Sequence, residues 1–125
     1  MTEKPSILIV DDSPDVRKAL SAFLSTLGWL RVVCEACDVE EALAMIERQV
    51  PDFVLMDINM PVIGGLEGIR MIKKRWPQIK VIILTAYPDF LQEAKQLGAE
   101  AFLFKGCSMD EISSTICSLN RINRP

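Results

Sequence analysis

The sequence predicts an α/β fold, a parallel sheet wound by helices on both of its faces. Three observations carry that expectation. Five short apolar runs, rich in β-branched residues, recur along the 125 residues. Stretches of about 10–15 residues with helical spacing lie between them. The junctions carry helix-starting and helix-stopping chemistry. Strands that alternate with helices pair in parallel and are covered on both sides.

The first run, Ile7–Val10, ends in Asp11-Asp12. Ser13-Pro14 then supplies an N-cap and a proline at the first helical position. Val16, Leu20, Phe23, Leu24 and Leu27 share one helical face, and Gly28 stands where a left-handed helix stop belongs. The second run, Val32–Cys34, is more mixed than the others and reads as an edge strand. Asp38 and Glu41 have capping-box spacing before Val39, Ala42, Leu43 and Ile46. Pro51 follows that helix, and Phe53–Met56 forms the third run, ending in Asp57. Leu66, Ile69, Ile72 and Trp76 mark the third helix, with Pro77 beyond it. Val81–Leu84 leads into Thr85-Ala86, and a shorter helix is expected from about Pro88 to Leu97, closed by Gly98. Ala101–Phe104 ends in Lys105. Ser108 and Glu111 then start a helix marked by Ile112, Ile116 and Leu119.

Composition bounds the function. Half the residues are apolar and a quarter charged, as in an ordinary globular domain. One domain is expected over residues 1–120, with 121–125 as a tail or the start of a linker. Fourteen basic against 17 acidic residues give a net charge of −3, which argues against direct nucleic-acid binding. No apolar stretch approaches the length of a membrane span or signal sequence, so a cytoplasmic protein with reduced cysteines is expected. The chain has no histidine, which excludes Ser-His and Cys-His catalytic pairs and any histidine-ligated metal. Cys34-x-x-Cys37 precedes a helix as a redox pair would, but no second cysteine pair has zinc-site spacing. Packing is the simpler role for these thiols.

Ligands of open parallel sheets bind beyond the carboxyl ends of the strands, where the winding reverses. Those ends carry Asp11, Asp12, Asp57, Thr85 and Lys105. Each alone has an ordinary reading as a turn acid, a strand threonine or a surface lysine. Together they describe a site. Crowded carboxylates need a cation, and oxygen ligands alone select a hard ion such as Mg²⁺, with Mn²⁺ able to substitute. Lys105 and Thr85 add a positive charge and a hydroxyl beside it, which suits a phosphoryl group on a carboxylate nucleophile.

Several stretches of this chain carry a family resemblance: Ile7-Leu8-Ile9-Val10-Asp11-Asp12, Val54-Leu55-Met56-Asp57-Ile58-Asn59-Met60-Pro61 with Gly65-Leu66-Glu67, Ile82-Ile83-Leu84-Thr85-Ala86, and Gly98-Ala99 through Phe102 to Lys105. The sequence resembles a receiver domain of a two-component response regulator over almost its whole length. The resemblance implies a single flavodoxin-like (βα)5 sandwich with strand order 2-1-3-4-5. It makes Asp57 the phosphoacceptor. Asp12, Asp57 and the backbone carbonyl of Asn59 would hold Mg²⁺, with Asp11 helping through water. Lys105 would pair with the phosphoryl oxygens, Thr85 would turn toward them, and Phe102 would change rotamer in step. The surface of helix 4, strand 5 and helix 5 would respond, and that face or the helix 1/helix 5 face would serve a homodimer. Asn59 and Tyr87 occupy positions that bear on phosphate lifetime.

The donor implied is a sensor histidine kinase or histidine phosphotransfer protein. Gly106 and Gly64 depart from common receiver residues, and Gly106 is a feature of receivers joined to helix-turn-helix output domains. The expected activity is a phosphorylation-dependent switch, probing no metabolite and limited to Mg²⁺-dependent self-phosphorylation and slow self-dephosphorylation, most naturally coupled to transcription. Two alternatives stand beside it. One is a stand-alone or docking module without phosphoryl transfer. The other is a phosphatase with an aspartyl nucleophile, which Asn59 disfavours because it cannot donate a carboxyl proton.

Overall fold

The structure is a computed structural model that describes residues 4–58, 64–86 and 90–122. Its elements run β1 (Ser6–Val10), α1 (Pro14–Ser25), β2 (Arg31–Ala36), α2 (Val39–Arg48), β3 (Phe53–Met56), α3 (Gly65–Arg75), β4 (Lys80–Thr85), α4 (Leu91–Gln96), β5 (Ala101–Phe104) and α5 (Met109–Ile122). All strand pairs are parallel, in the order β2-β1-β3-β4-β5. This is the doubly wound sheet the alternation of segments predicts.

Strand alternation divides the core in two. Ile7, Ile9, Phe53, Leu55, Ile82 and Leu84 face a cluster with Leu20 and Leu24 of α1 and Ile112 and Ile116 of α5. Leu8, Val10, Val54, Met56, Val81 and Ile83 face Val39, Ala42 and Ile46 of α2, Ile69 and Ile72 of α3, and Ala94 of α4. Side chains of successive strand residues point to opposite faces, so a strand buried on both reads as an unbroken apolar run. Each fully buried Val, Leu or Ile contributes about 1.5–3 kcal/mol relative to exposure. That burial makes the sheet a rigid platform for whatever its strand ends carry.

The helix starts follow local chemistry. Val16 N–H donates to Ser13 Oγ at 3.3 Å, with Pro14 in the first turn. Glu41 N–H donates to Asp38 Oδ1 at 2.8 Å, and Glu111 N–H to Ser108 Oγ at 3.1 Å. The return bond of the Asp38 box goes one residue further back than the motif prescribes, from Cys37 N–H to Glu41 Oε1 at 3.0 Å.

Four details differ from expectation. Gly28 is not a left-handed stop. Helix α1 closes three residues earlier, with Thr26 right-handed, its N–H on Phe23 O and its hydroxyl on the same carbonyl at 2.6 Å. Leu27 N–H takes Leu24 O and Leu30 N–H takes Leu27 O, so tight turns satisfy carbonyls that an αL residue would otherwise cap. Gly98, by contrast, does adopt positive φ (105°) after α4. Strand β2 is longer than the apolar run suggests. Its register shifts between Ile7↔Val32 and Leu8↔Cys34, a bulge that skips Val33 and still brings Ala36 beside Val10. Helix α4 is shorter than the expected Pro88–Leu97 span, and residues 87–89 lie outside the described residues. Helix α5 extends to Ile122, into the segment set apart as a tail.

Candidate phosphoryl and metal site

Winding reverses between β1 and β3, whose neighbours lie on opposite sides, and the acids stand at that point. Val10 pairs with Met56, and Asp57 N–H donates to Val10 O at 3.1 Å. The next residues of both strands, Asp11 and Asp57, are thereby brought side by side. Asp11 N–H is itself held by Ala36 O at 3.1 Å, the last residue of β2. Asp11 and Asp57 are almost fully buried, while Asp12 is exposed at the mouth.

One carboxylate oxygen from each of Asp11, Asp12 and Asp57 lies within 4.8 Å of the other two. With Mg–O bonds of about 2.0–2.1 Å, two oxygens on one octahedral ion stand roughly 3–4 Å apart. The three acids thus fit a hydrated Mg²⁺ with small inward shifts or a bridging water. The donor set is all oxygen, which suits that ion. When bound, Mg²⁺ would supply charge neutralisation for the acids and for a transferring phosphoryl group.

Lys105 reaches two of these acids. Its Nζ stands 3.1 Å from Asp57 Oδ2 and 3.2 Å from Asp11 Oδ2. Lys105 N–H donates to Thr85 O at 2.8 Å, so the main chain of β4 aims the side chain across β3. Partial burial pulls the Lys105 ammonium toward a lower pKa, but its hydrogen bonds and attraction to Asp57 and Asp11 outweigh this and the net shift is upward. The lysine stays charged through the whole physiological range.

Thr85 is fully buried at the end of β4. Register places Ile83 beside Phe102 and Thr85 beside Phe104. Phe102 is partly buried and packs on the α2–α4 side of the core, whereas Phe104, one pleat on, is half exposed. Asn59 and Tyr87 lie outside the described residues. An apolar hollow of about 190 Å³ opens beside Lys105 between α1 and the start of α5, lined by Leu20, Cys107, Met109 and Ile112 among others.

Three further residues shape the site without being legible as site residues. Ser13 N–H donates to Asp11 Oδ1 at 2.9 Å, so the residue that caps α1 also fixes a site carboxylate. Arg17 Nη1 donates to the Asp11 carbonyl at 2.7 Å. Gly65 packs against the loop that follows β3, where a Cβ would meet Asp57 O and Ile58 Cα at 2.5 Å each. Of these, Ser13 was legible in sequence only as a helix cap and Gly65 only as a glycine after the third strand. The four cysteines are free thiols. Partial burial and then the carboxylates of Glu41 and Asp38 raise the Cys37 pKa, the opposite of what activates a redox thiol.

The response regulator receiver domain family matches residues 7–117. Among curated proteins, the transcriptional regulatory protein LnrK of Bacillus subtilis is 36% identical over 116 residues, covering 91% of this chain and 53% of that protein. The response regulator UvrY of Escherichia coli is 37% identical with the same coverage. The chain spans about half the length of these relatives. Among solved structures, the signal receiver domain of the putative response regulator NarL from Mycobacterium tuberculosis superposes with a TM-score of 0.89 at 30% identity, covering 98% of this chain and all of that one. With the family model matched over residues 7–117 and a solved receiver domain sharing its topology, the chain belongs to the response regulator receiver domain family.

Proposed function

We propose that this chain is a phosphorylation-controlled switch whose acceptor is Asp57. The observation that carries the reading is the double contact of Lys105 with Asp57 and Asp11 beside a third carboxylate at the switch point. Without a metal, Lys105 offsets the buried negative charge. Asp11, Asp12, Asp57 and the Asn59 carbonyl would hold Mg²⁺, which would neutralise the acids and leave the same ammonium available to an incoming phosphoryl oxygen.

In the proposed transfer, an Asp57 carboxylate oxygen attacks phosphorus of a phosphohistidine. The P–N bond breaks, the imidazole nitrogen keeps the electron pair and takes a proton from solvent, and an acyl phosphate forms on Asp57. These 125 residues contain no histidine, so the donor histidine lies outside them, in this reading on a sensor kinase or phosphotransfer protein. The hollow beside Lys105 supports access from the α1/α5 side. Thr85 and Phe102 would carry the change toward α4, β5 and α5, the face that also presents exposed Phe104 and Phe90. That face or α1/α5 would serve a homodimer. Control of transcription through an attached effector domain is the output supported by the half-length match to the transcriptional regulatory protein LnrK. No described helix is long and apolar enough to cross a membrane, which agrees with action in the cytoplasm.

The test is chemical. A small acyl-phosphate donor with Mg²⁺ is expected to add one phosphoryl group that hydroxylamine removes and that EDTA prevents. A label stable to hydroxylamine would contradict an acyl phosphate. Steady phosphate release from a generic phosphate ester would favour the phosphatase reading instead.

A further inference from the structure

We propose that Arg17 is a positioning residue for the metal-binding acids, acting on the peptide that joins Asp11 to Asp12. The proposal rests on the reading above that these acids hold Mg²⁺. Arg17 lies one turn into α1, and its side chain is only 17% exposed. Its Nη1 donates to the Asp11 carbonyl at 2.7 Å, and its Nε faces Glu35 Oε1 at 3.5 Å. One planar guanidinium thus spans β2 and the β1–α1 loop. A guanidinium holds the two partners with separate nitrogens in one rigid planar fork, which fixes their relative direction; a lysine's single ammonium on a flexible stem does not.

The Asp11 carbonyl belongs to the peptide unit linking Asp11 to Asp12. Holding that oxygen fixes the rotation of the peptide plane, and hence the direction in which Asp12 leaves the loop. The other side of Asp11 is already fixed, by its N–H on Ala36 O and its Oδ1 on Ser13 N–H. Asp12 is exposed, with none of the burial that orders Asp11 and Asp57. Arg17 supplies through the main chain the order that packing does not. Glu35 in turn orients Arg17 and cancels its charge, so the arrangement adds no net positive field against an incoming cation.

Charge and position separate in the variant that removes both partners. R17M/E35Q leaves the local net charge unchanged, so altered Mg²⁺ affinity reports on the loop alone. By calorimetric titration of the full chain with MgCl2, its affinity is expected to fall about tenfold, the lower end for groups that orient metal ligands. The Mg²⁺ concentration for half-maximal labelling by an acyl-phosphate donor is expected to rise in parallel, with the rate at saturating Mg²⁺ within about twofold of the parent. R17K keeps the charge but loses the fork, and its Mg²⁺ affinity is expected to fall as well; this variant carries the test if the double variant does not fold. Parent-like Mg²⁺ affinity in either folded variant, even with a lowered melting temperature, would overturn the positioning role and leave Arg17 a purely structural residue. Absence of Mg²⁺ uptake by the parent protein would instead overturn the metal reading itself, and the proposal with it.

Discussion

Gly65 sits against the main chain of Asp57 so closely that a methyl group would stand 2.5 Å from the Asp57 carbonyl oxygen. Backbone lies on the other side of that contact too, at Ile58 Cα and Ile58 O, and Gly65 N–H donates to Ile58 O at 2.8 Å. The start of α3 and the loop carrying the proposed acceptor are thus one packed unit. Gly65→Ala must push the Asp57–Ile58 backbone aside. We expect a loss of about 1–3 kcal/mol, the usual cost of overpacking, together with slowed phosphoryl labelling. Gly68→Ala is the milder comparison, since its Cβ would meet only side-chain atoms, Val39 Cγ2 at 2.9 Å and Met56 Cε at 3.4 Å, rather than backbone, and alanine favours the helix. Urea melts showing equal stability for both variants would contradict this account of Gly65.

Mg²⁺ is expected to stabilise the fold, because an ion that binds only the folded state adds stability by mass action. At 100 times its Kd the gain is about 2.7 kcal/mol. Asp12→Asn removes the exposed ligand and is expected to abolish most of the Mg²⁺-induced rise in melting temperature. Its metal-free stability is expected to equal or slightly exceed that of the parent, since one of three mutually repelling carboxylates is gone. A thermal shift with Mg²⁺ that Asp12→Asn retains in full would count against the assigned ligands.

Lys105 gives a pH signature in the metal-free protein. Its pKa is raised on folding, so its stabilising contribution is complete below the ordinary lysine value. That contribution is lost as pH rises through the higher folded value. Stability should therefore decline above about pH 10.5 more steeply in the parent than in Lys105→Met. At neutral pH the variant leaves two buried carboxylates without their cation and is expected to be less stable by a few kcal/mol. Mg²⁺ should restore part of that loss. Parallel pH profiles for the two proteins would show that the lysine contacts contribute little.

At the opposite end of the sheet, Glu100 closes a clasp. Its Oε1 accepts Val81 N–H at 2.8 Å and its Oε2 meets Lys73 Nζ at 2.6 Å. The same ammonium donates to Ile79 O and Pro77 O. Glu100→Ala removes the acceptor of a buried strand amide and is expected to cost about 1–3 kcal/mol. Glu100→Gln keeps an acceptor for Val81 and should cost less. Far from the acids, neither change should alter Mg²⁺ affinity, and a calorimetric titration checks this.

The parts of the fold that were legible in sequence are those decided locally. Runs such as Ile7–Val10 and Val81–Leu84 admit few alternatives when turn and capping chemistry bounds them. Gly28 and Gly98 show where local reading ends. Both follow helices, but Thr26 and two successive tight turns absorb the α1 carbonyls, and nothing in the glycine itself reveals that. The cluster of acids was legible because strand ends meet at a switch point whatever the side chains are. The reach of Lys105 to Asp57, 48 residues away, follows from strand order and the Thr85 main-chain contact rather than from spacing. Arg17 escaped notice because its partner is a main-chain carbonyl, which leaves no mark in sequence. Gly65 was visible as a glycine, but the 2.5 Å approach that requires one exists only in three dimensions.

The most direct test compares intact masses of the parent and Asp57→Asn after incubation with an acyl-phosphate donor and Mg²⁺. The account predicts one added phosphoryl group on the parent and none on the variant, with the variant's circular dichroism unchanged. Equal labelling of a folded Asp57→Asn protein would place the acceptor elsewhere and contradict the central claim.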